Sequence, residues 1–179
     1  YLILATQFNS AVKPMIIFAT ILLSLIGVLL GFMAFGMTFS VIMSGVGIIA
    51  LAGIVVKNGI LLIEFIEELR FKRGYDLKEA IIEGGGIRLT PVLLTASAAV
   101  LGLIPLALGL SIDFVTLFTE LNPHIFIGSD SAVFWGILAW TIIFGLTYAT
   151  VLTLVMVPVM FYLVKRVKYW LRDRRIANA

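Results

Sequence analysis

The chain has 179 residues, of which 61% are hydrophobic and 13% are charged, and its mean hydropathy is +1.15. Its formal net charge is +3. This composition excludes an ordinary soluble globular domain and indicates that lipid surrounds most of the chain. The lack of cysteine excludes disulfides, thiolate metal sites and cysteine nucleophiles, so redox chemistry is not expected.

The first residues are already apolar, although the chain has neither an initiating Met nor the features of a signal peptide. We therefore interpret residues 1–13 as the end of a preceding transmembrane helix followed by a cytoplasmic turn. A helix needs about 20 apolar residues to cross the hydrocarbon core. We expect a part of a larger protein, folded as an all-α membrane bundle of four full transmembrane helices after the end of the preceding one.

The four full spans are predicted from long apolar runs that are separated by polar or glycine-containing breaks. Pro14 suits the first turn of the first span, because the first N–H groups of a helix have no intrahelical partner. The second span is rich in small residues, which would let another helix approach closely. Within residues 14–164, the predicted spans cover residues 14–35, 39–65, 89–110 and 134–164.

The strongly charged segment 66–88 is predicted to be a loop between the second and third spans. Asp76, followed three residues later by Glu79, resembles a capping box that begins a short helix. Three consecutive glycines are expected to end that helix before the third span begins. These are Gly84, Gly85 and Gly86.

The orientation follows from Lys and Arg, which concentrate in the cytoplasmic segments of membrane proteins. They cluster in and around the loop 66–88 and in the basic tail 165–179, so both are predicted to be cytoplasmic. The loop 111–133 contains acidic residues and the single histidine but no Lys or Arg, so it is predicted to be periplasmic. The residues concerned are Asp113, Glu120, His124 and Asp130.

Lys57 is the residue that points most directly to a function. An ammonium inside a span costs about 2.5–3.5 kcal/mol on insertion scales, so Lys57 needs a partner or a use. Gly53 and Ala50 precede it by four and seven residues on the same helical face, and we predict that they pack against a neighbouring helix. A carboxylate beside a buried lysine favours its charged form, so protonation of that acid would change the interactions of Lys57. The alternative is that Lys57 snorkels to the cytoplasmic headgroups.

Arg88, Pro91 and Thr95 lie on one face of the third span, with Arg88 at its cytoplasmic mouth and Thr95 about two turns deeper. Thr95 could hold a water or a lysine, or its hydroxyl could bond to a preceding carbonyl of its own helix. Arg88 could be an ordinary cytoplasmic anchor. Asn58, beside Lys57, either forms a hydrogen bond across helices or stabilises their packing.

Other kinds of site are not expected. His124 has no cluster of ligands around it, so no metal site is predicted. The basic tail lies beside a span, so anionic membrane lipid explains it better than nucleic acid does. The sequence contains no nucleophile–base pair and no phosphate-binding loop, and we therefore predict neither catalytic residues nor a bound cofactor.

Three segments together resemble the last membrane helices of resistance-nodulation-division efflux pumps, the acriflavin-resistance type of multidrug transporter. They are residues 53–65, which include Lys57-Asn58, then Glu79-Ala80, and then residues 88–95, which include Arg88 and Thr95. They occur in order and at fitting separations, and the resemblance extends over essentially the whole chain. It makes the four full spans similar to the last four of that family.

The resemblance implies a secondary active transporter of the bacterial inner membrane and not an enzyme. It implies a homotrimer whose membrane domain passes protons inward to drive the export of drugs. The implied partners are membrane lipid, the missing N-terminal part of the same protein, a periplasmic adaptor and an outer-membrane channel. In the family, a lysine matching Lys57 pairs with two aspartates of the fourth helix, outside this chain, and residues matching Thr95 and Arg88 line the proton route.

Two other functions stay open on the sequence alone. A protein- or lipid-export member of the same superfamily would share the fold and the proton coupling but carry different cargo. A non-transporting accessory membrane subunit would use Lys57 only to fix the pairing of helices. The loop 111–133 is longer than expected for the common drug pumps, which leaves the subfamily open.

Overall fold

The computed structural model describes residues 1–10, 12–112 and 125–177. Four of its helices are long and apolar enough to cross a membrane, which confirms the prediction of an all-α membrane bundle. Two short strands, which the sequence did not predict, pair antiparallel with Leu110 opposite Ile127. The elements are α1 (Leu2–Phe8), α2 (Val12–Phe35), α3 (Val41–Lys72), α4 (Leu77–Ala107), β1 (Leu110–Ile112), β2 (Ile125–Ile127) and α5 (Asp130–Ala177).

Helix α5 is the centre of the bundle and packs against α2, α3 and α4. Glycines allow this close approach: a Cβ on Gly145 would collide with Leu51 and Val28, and a Cβ on Gly27 would collide with Tyr148. Lipid tails are as apolar as the helices, so helices associate in a membrane mainly through such tight packing. The glycines of α2 and α5 therefore determine which helices become neighbours.

One side of α3 takes part in the same packing. Ser44 and Leu51 are fully buried, and a Cβ on Gly47 would lie 2.8 Å from the Cβ of Thr141 in α5. Ala50 and Gly53, on another side of α3, are exposed. Only part of the small-residue run in the second span is therefore used for contacts within the described chain.

Aromatic side chains join α2 and α5 near the end of the bundle that carries the strands. Phe35 and Trp140 each stack on Phe144 with ring centroids 5.1 Å apart. The indole Nε1 of Trp140 also donates a hydrogen bond of 2.9 Å to the carbonyl oxygen of Ala107. Because a carbonyl in the last turn of a helix lacks an intrahelical partner, this bond ties the end of α4 to α5.

The prediction for segment 66–88 is wrong in its local structure. Helix α3 continues to Lys72, α4 begins at Leu77, and the chain reverses between them through Gly74, whose φ is +73°. Asp76 is the N-cap of α4, but its side chain makes no capping hydrogen bond. Helix α4 then runs through Gly84–Gly86 into the third span without a break.

Close packing explains why glycine occurs in this part of α4. A Cβ on Gly84 would lie 3.0 Å from a side-chain carbon of Ile66, so glycine lets α3 and α4 approach each other. Glycine costs a helix about 0.5–1 kcal/mol relative to alanine, which tertiary contacts can offset. Gly84 is therefore a packing residue, and the glycine triplet does not end the helix.

The structure also differs from the prediction at both ends of α5. Helix α5 begins at Asp130, within the predicted loop 111–133, and continues through the basic segment to Ala177. Strands β1 and β2 lie in and next to the same predicted loop. Asp113, Glu120 and His124 lie outside the described residues, and the structure adds nothing to their interpretation.

We expect the substitution Gly145→Leu to lower the free energy of unfolding of the complete protein by about 1–3 kcal/mol, because it overpacks the contact of α5 with α2 and α3. Thermal denaturation in detergent would measure the change. The control is Gly85→Ala, because a Cβ there meets no atom within 4 Å. An unchanged unfolding midpoint for Gly145→Leu would contradict this packing of α5.

Candidate functional site

A cavity of about 270 Å³ lies between α3 and α4, and four of the six predicted site residues line it. Lys57 and Asn58 come from α3, while Arg88 and Thr95 come from α4. The other lining residues are Ile54, Leu61, Leu62, Pro91, Val92, Ala96 and Ala99. The cavity wall is thus mostly apolar, with a few polar groups of the kind that bind or move a charge.

Thr95 forms hydrogen bonds to preceding carbonyls of its own helix, as the structural alternative predicts. Its hydroxyl lies 3.0 Å from the carbonyl oxygens of both Pro91 and Val92, so its single proton is used within α4. The hydroxyl oxygen keeps lone pairs that can accept a hydrogen bond from the cavity. Thr95 can therefore receive an ammonium or a water without giving up its own donor bond.

Arg88 is held at the same cavity by an aromatic ring. Its guanidinium carbon lies 4.4 Å from the ring centroid of Phe65, on α3, within the range of a cation–π interaction. Its Nε is buried and has no hydrogen-bond partner among the described residues. Since a buried unpaired donor is costly, this atom indicates a partner or water that the described chain does not supply.

Lys57 lies on an uncovered face of α3. Its side chain is exposed, as are Gly53 and Ala50, and a Cβ placed on Gly53 meets no atom within 4 Å. The two predicted packing residues therefore share a face with Lys57, but no helix of the described chain covers them. The predicted helix contact at Gly53 and Ala50 is therefore absent among the described residues.

The neighbouring helix α4 is uncovered too. Only 11% of its apolar window is buried, compared with 50% for that of α5. Of the described residues that line the cavity, two are cations and none is an acid. An uncompensated charge in lipid costs about 2.5–3.5 kcal/mol, so these two cations are the unusual feature of this apolar face.

One charged cluster escaped the sequence analysis. Glu67 of α3 lies 2.6 Å from the Nζ of Lys13 in α2 and 3.9 Å from the Nζ of Lys165 in α5. The first pair is 54 residues apart, so no local spacing could reveal it. The only sequence signal was that all three residues lie near predicted span ends on the same side of the membrane.

Comparison with known proteins identifies the family. Residues 1–113 match the sequence profile described as the AcrB/AcrD/AcrF family. The chain belongs to this family. The resemblance to resistance-nodulation-division efflux transporters is thereby confirmed, and with four apolar helices the chain is a multi-pass segment of an inner-membrane transporter.

Individual relatives agree with this membership. The chain is 35% identical over 161 residues to the swarming motility protein SwrC of Bacillus subtilis and 32% identical over 161 residues to the multidrug resistance protein MdtC of Erwinia tasmaniensis. Each alignment covers 90% of this chain and 14% of the relative, so the chain spans about one-seventh of those proteins.

Solved structures of the same superfamily share the fold. Two crystal forms of a heavy metal efflux pump match with TM-scores of 0.71 and 0.69, at 33% and 35% sequence identity. Both matches cover 92% of this chain, and they cover 14% and 15% of the pump. The arrangement of the helices is therefore similar to that in the matching part of the heavy metal efflux pump.

We expect Gly53→Leu to disrupt the complete protein, because a helix from outside this chain would press against this face. Membrane abundance and transport activity should both fall, although the described chain contains nothing that a leucine would strike. Gly86→Leu is the matched control, since Gly86 also has open space around it but lies on α4, nine residues after the start of that helix. Equal behaviour of the two variants would argue against a covering helix at Gly53.

Proposed function

We propose that this chain is part of the proton-translocating membrane domain of a proton-driven antiporter. The observation that carries the proposal is the cavity between α3 and α4, where Lys57 and Arg88 lie and where the described residues of the wall include no acid. Cations in an apolar setting are stabilised when acids pair with them. An acid that binds and releases a proton there would change the charge balance of the site, which is the requirement for proton coupling.

In the proposed cycle, acids from a segment outside this chain hold Lys57 when they are ionised. Protonation of those acids removes the attraction and releases the ammonium. Lys57 then turns toward Thr95, whose oxygen can accept a hydrogen bond, while Asn58 offers further polar contacts in the same cavity. Loss of the proton restores the first arrangement, so the site has two states that protons bias.

Arg88 and Phe65 support this cycle from the end of the cavity. The guanidinium is permanently charged and stays beside the Phe65 ring, so it contributes a fixed positive field while Lys57 moves. This field favours the ionised form of nearby acids and opposes a second excess positive charge. We propose that Arg88 lines the proton route together with Thr95.

The proposed cargo is a hydrophobic or amphiphilic compound, in keeping with the multidrug resistance protein MdtC among the relatives. A second cargo class is a heavy metal cation, because the matched solved structures are of a heavy metal efflux pump. Cells that express the complete protein and lack other pumps should retain less ethidium if the first class is correct. Increased tolerance to zinc or copper without ethidium export would favour the second.

The proposed assembly follows the family. The complete protein is a homotrimer in the inner membrane that works with a periplasmic adaptor and an outer-membrane channel, and the missing N-terminal part supplies the acids for Lys57. The segments around Lys72 and Lys165 face the cytoplasm, and the basic end of α5 interacts with anionic lipid. The β1–β2 pair then lies on the periplasmic side.

We expect Lys57→Met to reduce export by the complete protein to the level of cells without the pump. Methionine is uncharged, so its position does not depend on whether a neighbouring carboxylate is ionised or protonated. Ethidium efflux and metal tolerance would be measured together with membrane abundance. The matched control is Lys72→Met, since Lys72 is an exposed lysine of the same helix with 76% of its side chain accessible. Full export by Lys57→Met at normal abundance would overturn the proposal.

We expect Thr95→Val to lower the transport rate by about tenfold or more, the effect of losing one hydrogen bond to a charged group. Thr95→Ser keeps the hydroxyl and should retain most of the rate. Abundance should stay unchanged in both variants, because the bonds of Thr95 to its own helix add little stability. Equal rates for valine and serine would reduce Thr95 to a packing role.

A further inference from the structure

One carboxylate connects three helices at the end of the bundle opposite to the strands. Glu67 of α3 contacts Lys13, near the start of α2, and Lys165, in the last third of α5, at 2.6 and 3.9 Å. The accessible fractions of the side chains are 20% for Glu67, 15% for Lys13 and 23% for Lys165. The three charges are therefore largely shielded from water, where ionic attraction is stronger than at an open surface.

Aromatic rings shield both lysines further. The Nζ of Lys13 lies 5.1 Å from the ring centroid of Phe8, and the Nζ of Lys165 lies 5.3 Å from that of Phe161. Both rings belong to the same buried apolar cluster, which also includes Ile63 and Ile66 on the α3 turn that precedes Glu67. The ionic cluster thus continues the packed core of α2, α3 and α5 instead of standing apart from it.

Lys57 and Glu67, which both belong to α3, lie in contrasting environments. Glu67 follows Lys57 by ten residues, which is about 15 Å along the helix and roughly a quarter turn around its axis. Lys57 is exposed on the uncovered face, whereas Glu67 is half-buried against α2 and α5. Helix α3 is therefore ionically fixed at one end and free of ionic contacts within the described chain at Lys57.

We propose that Glu67 is a positioning residue for transport: it fixes one end of α3 to α2 and α5, so that movement at Lys57 occurs about this fixed end. The proposal rests on the proposed function, because it assigns Glu67 a role in the motion that follows proton binding. Loss of the carboxylate removes the contacts of Glu67 with Lys13 in α2 and with Lys165 in α5 at once.

The test is Glu67→Gln in the complete protein, with export followed as ethidium efflux, or zinc efflux if the pump carries metals. The maximal rate per pump molecule should fall about tenfold, as for the loss of a hydrogen bond to a charged group, because α3 loses its fixed end. The half-saturating substrate concentration should stay unchanged, since Glu67 does not contact cargo. Glu67→Asp keeps the charge and should recover most of the maximal rate.

The adjacent carboxylate provides a matched control. Glu68 pairs with Lys72 at 3.3 Å, but this lysine belongs to the same helix and both side chains are well exposed. Exposed pairs of this kind contribute little, so Glu68→Gln should leave the maximal rate unchanged. Equal losses for Glu67→Gln and Glu68→Gln would overturn the proposal, as would an unchanged rate for Glu67→Gln.

A second variant serves if Glu67→Gln is depleted from the membrane. Lys13→Gln removes the shorter contact but leaves Glu67 beside Lys165, and it should lower the maximal rate about threefold at normal abundance, a smaller loss because one ionic contact persists. An unchanged rate would overturn the proposal. If Lys57→Met abolishes export while Glu67→Gln and Lys13→Gln export normally, the positioning role of Glu67 is rejected and the proposed function stands. Export that survives Lys57→Met would reject the proposed function itself.

Discussion

The close contact of α5 with α2 and α3 is the constraint from which the rest of the structure follows. No hydrophobic driving force brings apolar helices together in lipid, because lipid tails are equally apolar. Helix association therefore requires backbones close enough for dense van der Waals packing. Gly145 and Gly27 supply that closeness, and Gly47 adds it on α3. Because α5 occupies the Gly47 side of α3, the side with Gly53 and Lys57 is left uncovered by the described chain. The glycine contacts of α5 thus determine which face of α3 stays exposed, and the candidate site lies on that face.

This division gives α3 two different environments for its charges. At Glu67 the ionic contacts are internal, with Lys13 at 2.6 Å and Lys165 at 3.9 Å, and an aromatic ring lies beside each lysine. At Lys57 the charge faces a cavity with a second cation, Arg88, and without an acid in its wall. A charge that is satisfied internally fixes a helix, whereas a charge that depends on an external acid can respond to the state of that acid. The same helix therefore combines an anchor with a candidate switch.

At Thr95, hydrogen bonding within its own helix and a role in the cavity are compatible with each other. Its hydroxyl makes the bonds to Pro91 and Val92 that a purely structural threonine would make. Its oxygen nevertheless lines the cavity with Lys57 and can accept another hydrogen bond. A group whose donor is already used offers a defined acceptor, which suits the temporary binding of an ammonium.

The sequence by itself determined that the protein lies in a lipid membrane, that it has four spans, and that Lys57 is a charge within one of them. Hydropathy and a charge within an apolar run are local properties of the sequence. It also indicated the family through the segments around Lys57 and Arg88. Only the tertiary structure decided that Gly84 packs against Ile66 instead of ending a helix, because a glycine's role depends on what approaches it. Likewise, the contacts of Glu67 with Lys13 and Lys165 join residues far apart in the chain, and only the packing of α2, α3 and α5 brings them together.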